Sequence, residues 1–366
     1  MKLKEIELRR IHIPLVRPFR TSFSTQTSRE VLLVKVTNEN GTVGWSECVA
    51  MSEPLYSPEY VAGCQDMMKR FLIPALRDKL DLTAEDVPII LKPFLGWQMT
   101  KAALETAVLD AQLRDRNVSL ATYLGATKSK VACGVSVGIA NNLTELAEEV
   151  KSYVDAGYRR IKLKIQPGWD IEAVKTIREL YPKIALQVDA NQAYSRSDSG
   201  RLGKLDQFDL LLIEQPLDEH DILGHALLAK EIKTPVCLDE SITSLRSAED
   251  ALELKATSVI NIKPGRVGGY IESVKIHNLC VGRNIPVWCG GMLETGIGRA
   301  ANLALAALPG FILPGDTSAS SRYFKKDITM PFIMEDGYLN VPTGAGIGVT
   351  PDMDYLNEIT IDKEVI

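Results

Sequence analysis

A polar residue recurs at the ends of short apolar runs in this chain, and the interval between recurrences is nearly constant. Lys164 closes "IKLK", Asp189 closes "LQVD", Glu214 closes "LLLIE", Asp239 closes "VCLD" and Lys263 follows "VINI". Each step from Lys164 to Asp239 is 25 residues, and the next is 24. Between the runs lie amphipathic segments such as "TELAEEVKSYVDAG" and "WDIEAVKTIRELYP". Strands alternating with helices of about 10–15 residues indicate βαβ units and a parallel sheet. The series starts at Ser136 in "CGVSVGI" and ends with Gly290–Gly291 after "IPVWC" and Asp316 after "FILPG", eight strands in all. An even repeat without a long crossover predicts a closed (β/α) TIM-type barrel over residues 126–329 rather than an open sheet.

The first 125 residues read differently. Alternating patterns at 3–13, 30–37 and 43–49 predict strands, the last two joined at "NENGT". From about 58 to 125 the apolar positions take helical spacing, as in "TKAALETAVLDAQLRD". This predicts an N-terminal α+β capping domain over 1–125, completed by a tail (330–366) that returns to strand and turn patterns. Between the first two strands, "RPFRTSFSTQTSRE" reads as a polar loop carrying Phe19 and Phe23.

A net charge of -5 argues against a nucleic-acid partner, which favours a basic surface. No apolar run approaches the roughly 18 residues of a membrane helix. The opening "MKLKEIELRRIHIPL" reads as a strand and not as a leader, which predicts a cytoplasmic protein without membrane contact. The six cysteines are scattered without zinc spacing and are expected as buried reduced thiols. The four histidines are equally dispersed, so a histidine metal site or a Ser-His-Asp triad has little to build from. Lysines and carboxylates must carry any chemistry.

Catalytic groups in such barrels converge from the C-terminal ends of different strands. Asp189, Glu214 and Asp239 would meet there, and three carboxylates in a low-dielectric mouth repel unless a cation sits among them. Oxygen-only ligands select a hard ion, Mg²⁺ with Mn²⁺ as substitute. The bland reading, in which each acid caps the next helix, explains one such residue better than three at equal spacing. Lys164 and Lys263 flank the trio, and alternation turns Lys162 the same way as Lys164. A desolvated lysine beside other cations is expected to have a lowered pKa and to work as a general base. Arg266, three residues after Lys263, is expected to lower it further. A metal with two opposed lysines suits abstraction of a proton α to a carboxylate, whose charge must be stabilised as it forms.

These residues resemble the enolase superfamily, muconate-lactonising-like branch, over the whole chain. "KLK", "VDAN", "IEQP", "LDES" and "NIKPGRVGG" match its strand-end motifs. "PLVRPFRTSF", "WSECV", "PVWCGGM" and "LPGDTSAS" are similar to o-succinylbenzoate synthases that also act as N-acylamino acid racemases. The resemblance implies Asp189, Glu214 and Asp239 as Mg²⁺ ligands, Lys164 and Lys263 as the acid/base pair, and Lys162 as a stabiliser of the enolate. It implies loss of water from 2-succinyl-6-hydroxy-2,4-cyclohexadiene-1-carboxylate, a small carboxylate substrate on the route to menaquinone. Ser136, Phe19, Phe23, Met51, Gly291, Met292 and Glu294 are then candidates for substrate contact, with Asn191, Glu240 and Arg266 behind them. Barrels of this group often assemble, which implies a homo-oligomer.

Three other readings remain open. The same site serves a dedicated N-acylamino acid racemase, or an epimerase or cycloisomerase of the same branch. A Schiff-base aldolase would use a barrel lysine without metal. A barrel kept only as a binding scaffold would give a metal trio and a lysine pair no reason to coexist.

Overall fold

The computed structural model describes residues 1–366. Its strands are β1 (Leu3–Arg20), β2 (Thr25–Asn38), β3 (Val43–Cys48), β4 (Lys130–Ala132), β5 (Gly134–Val137), β6 (Arg160–Lys164), β7 (Leu186–Asp189), β8 (Ile213–Glu214), β9 (Val236–Leu238), β10 (Val259–Ile262), β11 (Val287–Cys289), β12 (Tyr338–Asn340) and β13 (Thr360–Val365). β1, β2, β3 and β13 form an antiparallel sheet in the order β13-β1-β2-β3. β5 to β11 form a seven-stranded parallel sheet in sequence order.

The parallel sheet follows from its connections. The helix Leu143–Asp155 buries Leu146, Val150 and Tyr153, one apolar stripe at spacings of four and three. Asn142 starts it by accepting the Glu145 N–H on its side chain. The helix Ile171–Leu180 likewise buries Ala173, Val174 and Ile177. Each helix returns the chain to the start of the next strand, so neighbours run parallel and sequence order becomes spatial order.

The eighth expected strand, "FILPGD", is not a regular strand. Phe311 forms a single bridge to Val287 and Gly315 one to Cys133, so the segment touches both ends of the series. Gly315 accepts from Gly134 N at 2.7 Å, and Asp316 N donates to Cys289 O at 2.9 Å. Pro314 lacks an N–H and interrupts any ladder here. The sheet is therefore a curled, seven-stranded parallel layer whose two edges share this segment.

The expected polar loop at 17–30 is largely strand. β1 continues to Arg20 and β2 begins at Thr25, with Phe19 opposite Gln26. Thr21 and Ser24 close the turn: Thr21 N donates to Ser24 O at 2.9 Å and Ser24 N to Thr21 Oγ1 at 3.2 Å. The tail divides its pairing, with β12 on β4 and β13 on β1. One buried apolar cluster runs through both sheets, from Ile6 and Leu33 to Ile161 and Ile260, so the two layers pack as one body. All six cysteines are buried and free. No helix is long and apolar enough to cross a membrane.

Candidate active site

Alternation along β6 turns Arg160, Lys162 and Lys164 to one face, and all three are buried. Parallel register then sets Lys164 opposite Asp189, and Asp189 opposite Glu214. Lys164 Nζ donates to Asp189 Oδ2 and to Asn191 Oδ1, both at 2.6 Å. One layer below, Lys162 Nζ donates to Glu214 Oε2 at 2.9 Å and Asp316 Oδ2 at 2.8 Å. Arg160 Nη1 reaches Asp316 Oδ1 at 2.9 Å. On the other flank Lys263 Nζ donates to Asp239 Oδ2 at 2.7 Å and to the Tyr56 hydroxyl at 3.1 Å. Two residues before it, Asn261 Nδ2 donates to Glu214 Oε1 at 2.8 Å.

Each expected ligand acid is thus paired with a lysine: Asp189 and Asp239 with one from the neighbouring strand end, and Glu214 with Lys162 from two strands away and one layer below. Burial penalises the Asp189 carboxylate, but Lys164 and Lys162 outweigh this and hold it well below the usual range. Burial and then Asp189 push Glu214 up, and the same two causes push Glu240 up to about 7. Lys263 corrects the expectation of a lowered pKa. Burial pulls its ammonium down, yet Tyr56, Glu240 and Glu214 together hold it above the ordinary lysine value. Lys162 is raised in the same way, with Asp316 and Glu214 outweighing burial. Arg266 does not act as the repelling cation expected of it. Its Nη1 binds Asp239 Oδ1, its Nε donates to Ile242 O at 2.6 Å and its Nη2 to Asn261 O at 2.5 Å, so it clamps the Lys263 acceptor in place.

With the side chains so paired, no group of three or more His, Cys, Asp or Glu stands at metal-ligating geometry. The donor chemistry nevertheless suits a hard cation: Asp189, Glu214 and Asp239 end three adjacent strands and supply oxygen alone. Glu240 Oε2 and Asn261 Oδ1 are buried acceptors without a partner. Both lack a donor or a cation, not another acceptor.

The other candidates divide. Phe19 is buried with Ile13, Leu293, Tyr323 and Phe324, and the Lys164 ammonium lies 6.0 Å from its ring centre. Phe23 sits in the turn, its ring 6.4 Å from that of Tyr56. Met51 is buried just after β3 and bridges Tyr60. Asn191 links the Lys164 flank to Glu240, donating Nδ2 to Glu240 Oε1 at 2.8 Å. Ser136 lies in register with Lys162, a layer below Lys164, and its hydroxyl donates to Asp316 Oδ1 at 3.3 Å. Gly291 packs against Asp316 and Glu294. Glu294 binds its own segment, accepting from Met292 N at 2.8 Å and Asn302 Nδ2 at 3.0 Å. Ser136 and Glu294 thus make these hydrogen bonds within the frame of the mouth.

Tyr56 escaped the sequence reading. It lies in an irregular stretch without periodicity, and only the fold brings it to Lys263. Asn261 was detectable, because it shares the inward face of β10 with Lys263 two residues on.

Residues 5–125 match the model of the mandelate racemase / muconate lactonizing enzyme N-terminal domain, and residues 145–355 that of an enolase C-terminal domain-like family. The chain belongs to the enolase superfamily and is an enzyme of its mandelate racemase and muconate lactonizing branch. It is 55% identical over 364 residues to an N-succinylamino acid racemase of Amycolatopsis, covering 99% of each chain. It is 44% identical over 366 residues to an o-succinylbenzoate synthase of Bacillus subtilis, covering 100% of this chain and 98% of the other. A crystal structure of an enolase-superfamily member from Listeria innocua superposes with a TM-score of 0.96 at 41% identity, over 100% of this chain and 99% of that one.

Proposed function

We propose that the chain is an o-succinylbenzoate synthase that also racemises N-succinylamino acids. In this reading the segment 311–316 closes the parallel sheet into an eight-stranded barrel, and residues 1–125 with the C-terminal strand cover its mouth. The observation that carries the proposal is the arrangement of Lys164 and Lys263 on opposite flanks of a carboxylate trio from three adjacent strand ends.

Asp189, Glu214 and Asp239 would hold Mg²⁺, which when bound supplies positive charge to the substrate carboxylate as its α-proton leaves. The mouth has five acids (Asp189, Glu214, Asp239, Glu240, Asp316) against five bases (Arg160, Lys162, Lys164, Lys263, Arg266), all buried. With Lys164 neutral, as a base must be, and the other nine ionised, a divalent ion leaves the site one charge positive, which favours a carboxylate substrate. The cyclohexadiene substrate and an N-succinylamino acid are both of that kind.

Lys164 takes the α-proton, and in the dehydration returns it to the leaving hydroxyl on the same face. Lys263 stays cationic beside the developing charge, consistent with its raised affinity for a proton. In racemisation one lysine removes the proton and the other delivers one to the opposite face. Asn191 orients Lys164, and Tyr56 and Asp239 orient Lys263. Phe19 excludes water on the Lys164 side.

The test compares turnover of the cyclohexadiene substrate with α-proton exchange in deuterated water on N-succinylamino acids. Both should be lost on chelation and return with Mg²⁺. Activity that survives chelation, or a lysine adduct trapped by borohydride, would instead favour the metal-free Schiff-base chemistry. A racemisation rate far above the dehydration rate would identify a dedicated racemase.

A further inference from the structure

Two buried carboxylates of the N-terminal unit reach across to the barrel helices and take no part in the chemistry above. Glu47, on β3, lies at the start of the helix Gly296–Ala306. Its Oε2 accepts from Thr295 Oγ1 at 2.6 Å, Thr295 N at 3.0 Å and Gly298 N at 3.3 Å. Glu105, on the helix Gln98–Asp115, lies at the start of the helix Tyr270–Gly282. Its Oε1 accepts from Tyr270 N at 2.6 Å and Ile271 N at 3.2 Å. That helix has no side-chain cap of its own at Gly269, so Glu105 supplies one from outside.

The barrel is shaped to admit both groups. A Cβ at Gly269 would stand 2.3 Å from the Glu105 carboxyl, and one at Gly298 would stand 3.0 Å from Glu47 Oε2. Between the two contacts lies a cavity of about 30 Å³, lined by Glu47, Tyr270, Pro264 and Lys263 among others.

Chain connectivity gives the contacts their consequence. Glu47 precedes the segment that runs through Val49 and Met51 to Tyr56, whose hydroxyl accepts from Lys263. Gly265 lies against Val49, close enough that a Cβ there would meet Val49 Cγ2 at 2.3 Å. Glu105 holds the helix that follows Lys263, Arg266 and Gly269. One carboxylate thus pins the approach to Tyr56 and the other pins the chain beyond Lys263. We propose that Glu47 and Glu105 are positioning residues, a two-point clamp that registers the N-terminal unit on the barrel and holds Tyr56 against Lys263. Lys164, whose polar partners all lie in the barrel, is outside its reach.

The inference rests on the proposed racemisation, and its test is the exchange of the α-proton from each enantiomer of an N-succinylamino acid. Lys263→Ala assigns the enantiomer that each lysine serves. Glu47→Ala and Glu105→Ala should each slow the Lys263-dependent exchange at least tenfold more than the Lys164-dependent exchange. Glu47→Gln and Glu105→Gln, which keep an acceptor for the helix N–H groups, should restore most of it. Equal loss on both faces, or no rescue by glutamine, would overturn the clamp. Thr295→Val, which removes the hydroxyl partner of Glu47, provides the same comparison should the alanine variants not fold. Amide exchange across residues 49–56 in the free enzyme should rise in Glu47→Ala or Thr295→Val, and an unchanged pattern would overturn the clamp independently of any substrate. A wild-type enzyme inert toward both substrates would break the functional reading and leave amide exchange to decide the clamp.

Discussion

Around Lys164 the polar partners come from the adjacent strand end: Asp189 lies 25 residues on and Asn191 lies 27. Around Lys263 one partner, Asp239, lies 24 residues back, while the other, Tyr56, lies 207 residues away in the N-terminal unit. The N-terminal unit does cover the Lys164 flank, where Phe19 faces the ammonium and Ser22 Oγ donates to Ala190 O at 3.1 Å. It makes no hydrogen bond to Lys164 itself. One lysine thus takes its hydrogen bonds from the parallel-sheet unit alone, while the other is complete only when the two units dock. In the proposed mechanism, one-face chemistry then draws on groups held by the parallel sheet, and two-face chemistry adds a dependence on the fit of the covering unit.

The sharpest way to break this comparison is to remove each lysine. Lys164→Ala should cost both activities about 10²–10⁴-fold, the usual range for a positioned acid/base. Dehydration or exchange near the wild-type rate in that variant would end the proposed mechanism. Lys263→Ala should abolish exchange from one enantiomer by a similar factor, while dehydration falls less because it needs the ammonium only as a charge. Equal losses in the two reactions would mean that Lys263 moves a proton in both.

A smaller effect sharpens the contrast. Tyr56→Phe deletes the hydroxyl that accepts from Lys263 and donates to Asp239 Oδ2 at 3.3 Å, and should slow the Lys263-dependent exchange by roughly tenfold, leaving Lys164-dependent exchange near wild type. The measurement is the ratio of exchange rates from the two enantiomers, and an unchanged ratio would remove Tyr56 from the site.

The two flanks also differ in how far the sequence disclosed them. Alternation in "IKLKI" and the 25-residue repeat follow from strand pleat and βα connection length, both local properties of the chain. They were enough to turn Lys162 and Lys164 inward and to bring Asp189, Glu214 and Asp239 to adjacent strand ends. Tyr56 could not be found this way, because its place depends on how two units pack and its own stretch has no period. Spacing puts Arg266 near Lys263 but does not disclose that its guanidinium is taken up by Asp239 and by the carbonyls of Ile242 and Asn261. Spacing gives proximity, whereas the direction of a pKa shift depends on burial and on which charged groups face each cation: at Lys263 burial is outweighed by Tyr56, Glu240 and Glu214, while at Arg266 burial prevails. The turn between β1 and β2 was missed because Thr21 and Ser24 close it without the Asn-Gly or Asp-Gly signal of a short hairpin.

The smallest effect is a pH dependence of stability that separates the docking contacts from the lysine pairs. Burial pushes Glu105 up to about 8 and Glu47 up to about 7, against an ordinary glutamate value near ~4.3. Glu272 and Lys275 face Glu105, and Glu294 and Arg29 face Glu47, but burial is the largest influence on both. The folded protein therefore binds these protons more tightly than the unfolded chain does. The stability so gained is complete below the unfolded value and is lost as pH rises through the folded values, on the order of a few kcal/mol in all. Asp189 and Asp316 have the opposite sign. Burial raises both, but Lys164 and Lys162 at Asp189, and Lys162 and Arg160 at Asp316, hold them low. Their contribution is present above the unfolded aspartate range and disappears only in acid. Thermal midpoints measured from pH 5 to pH 8.5 should fall with rising pH in the wild type and fall less steeply in Glu105→Gln, which has no proton to lose. Parallel curves for the two proteins would show that Glu105 ionises normally in the fold, and the contrast between the docking carboxyls and the lysine-paired aspartates would fail at this contact.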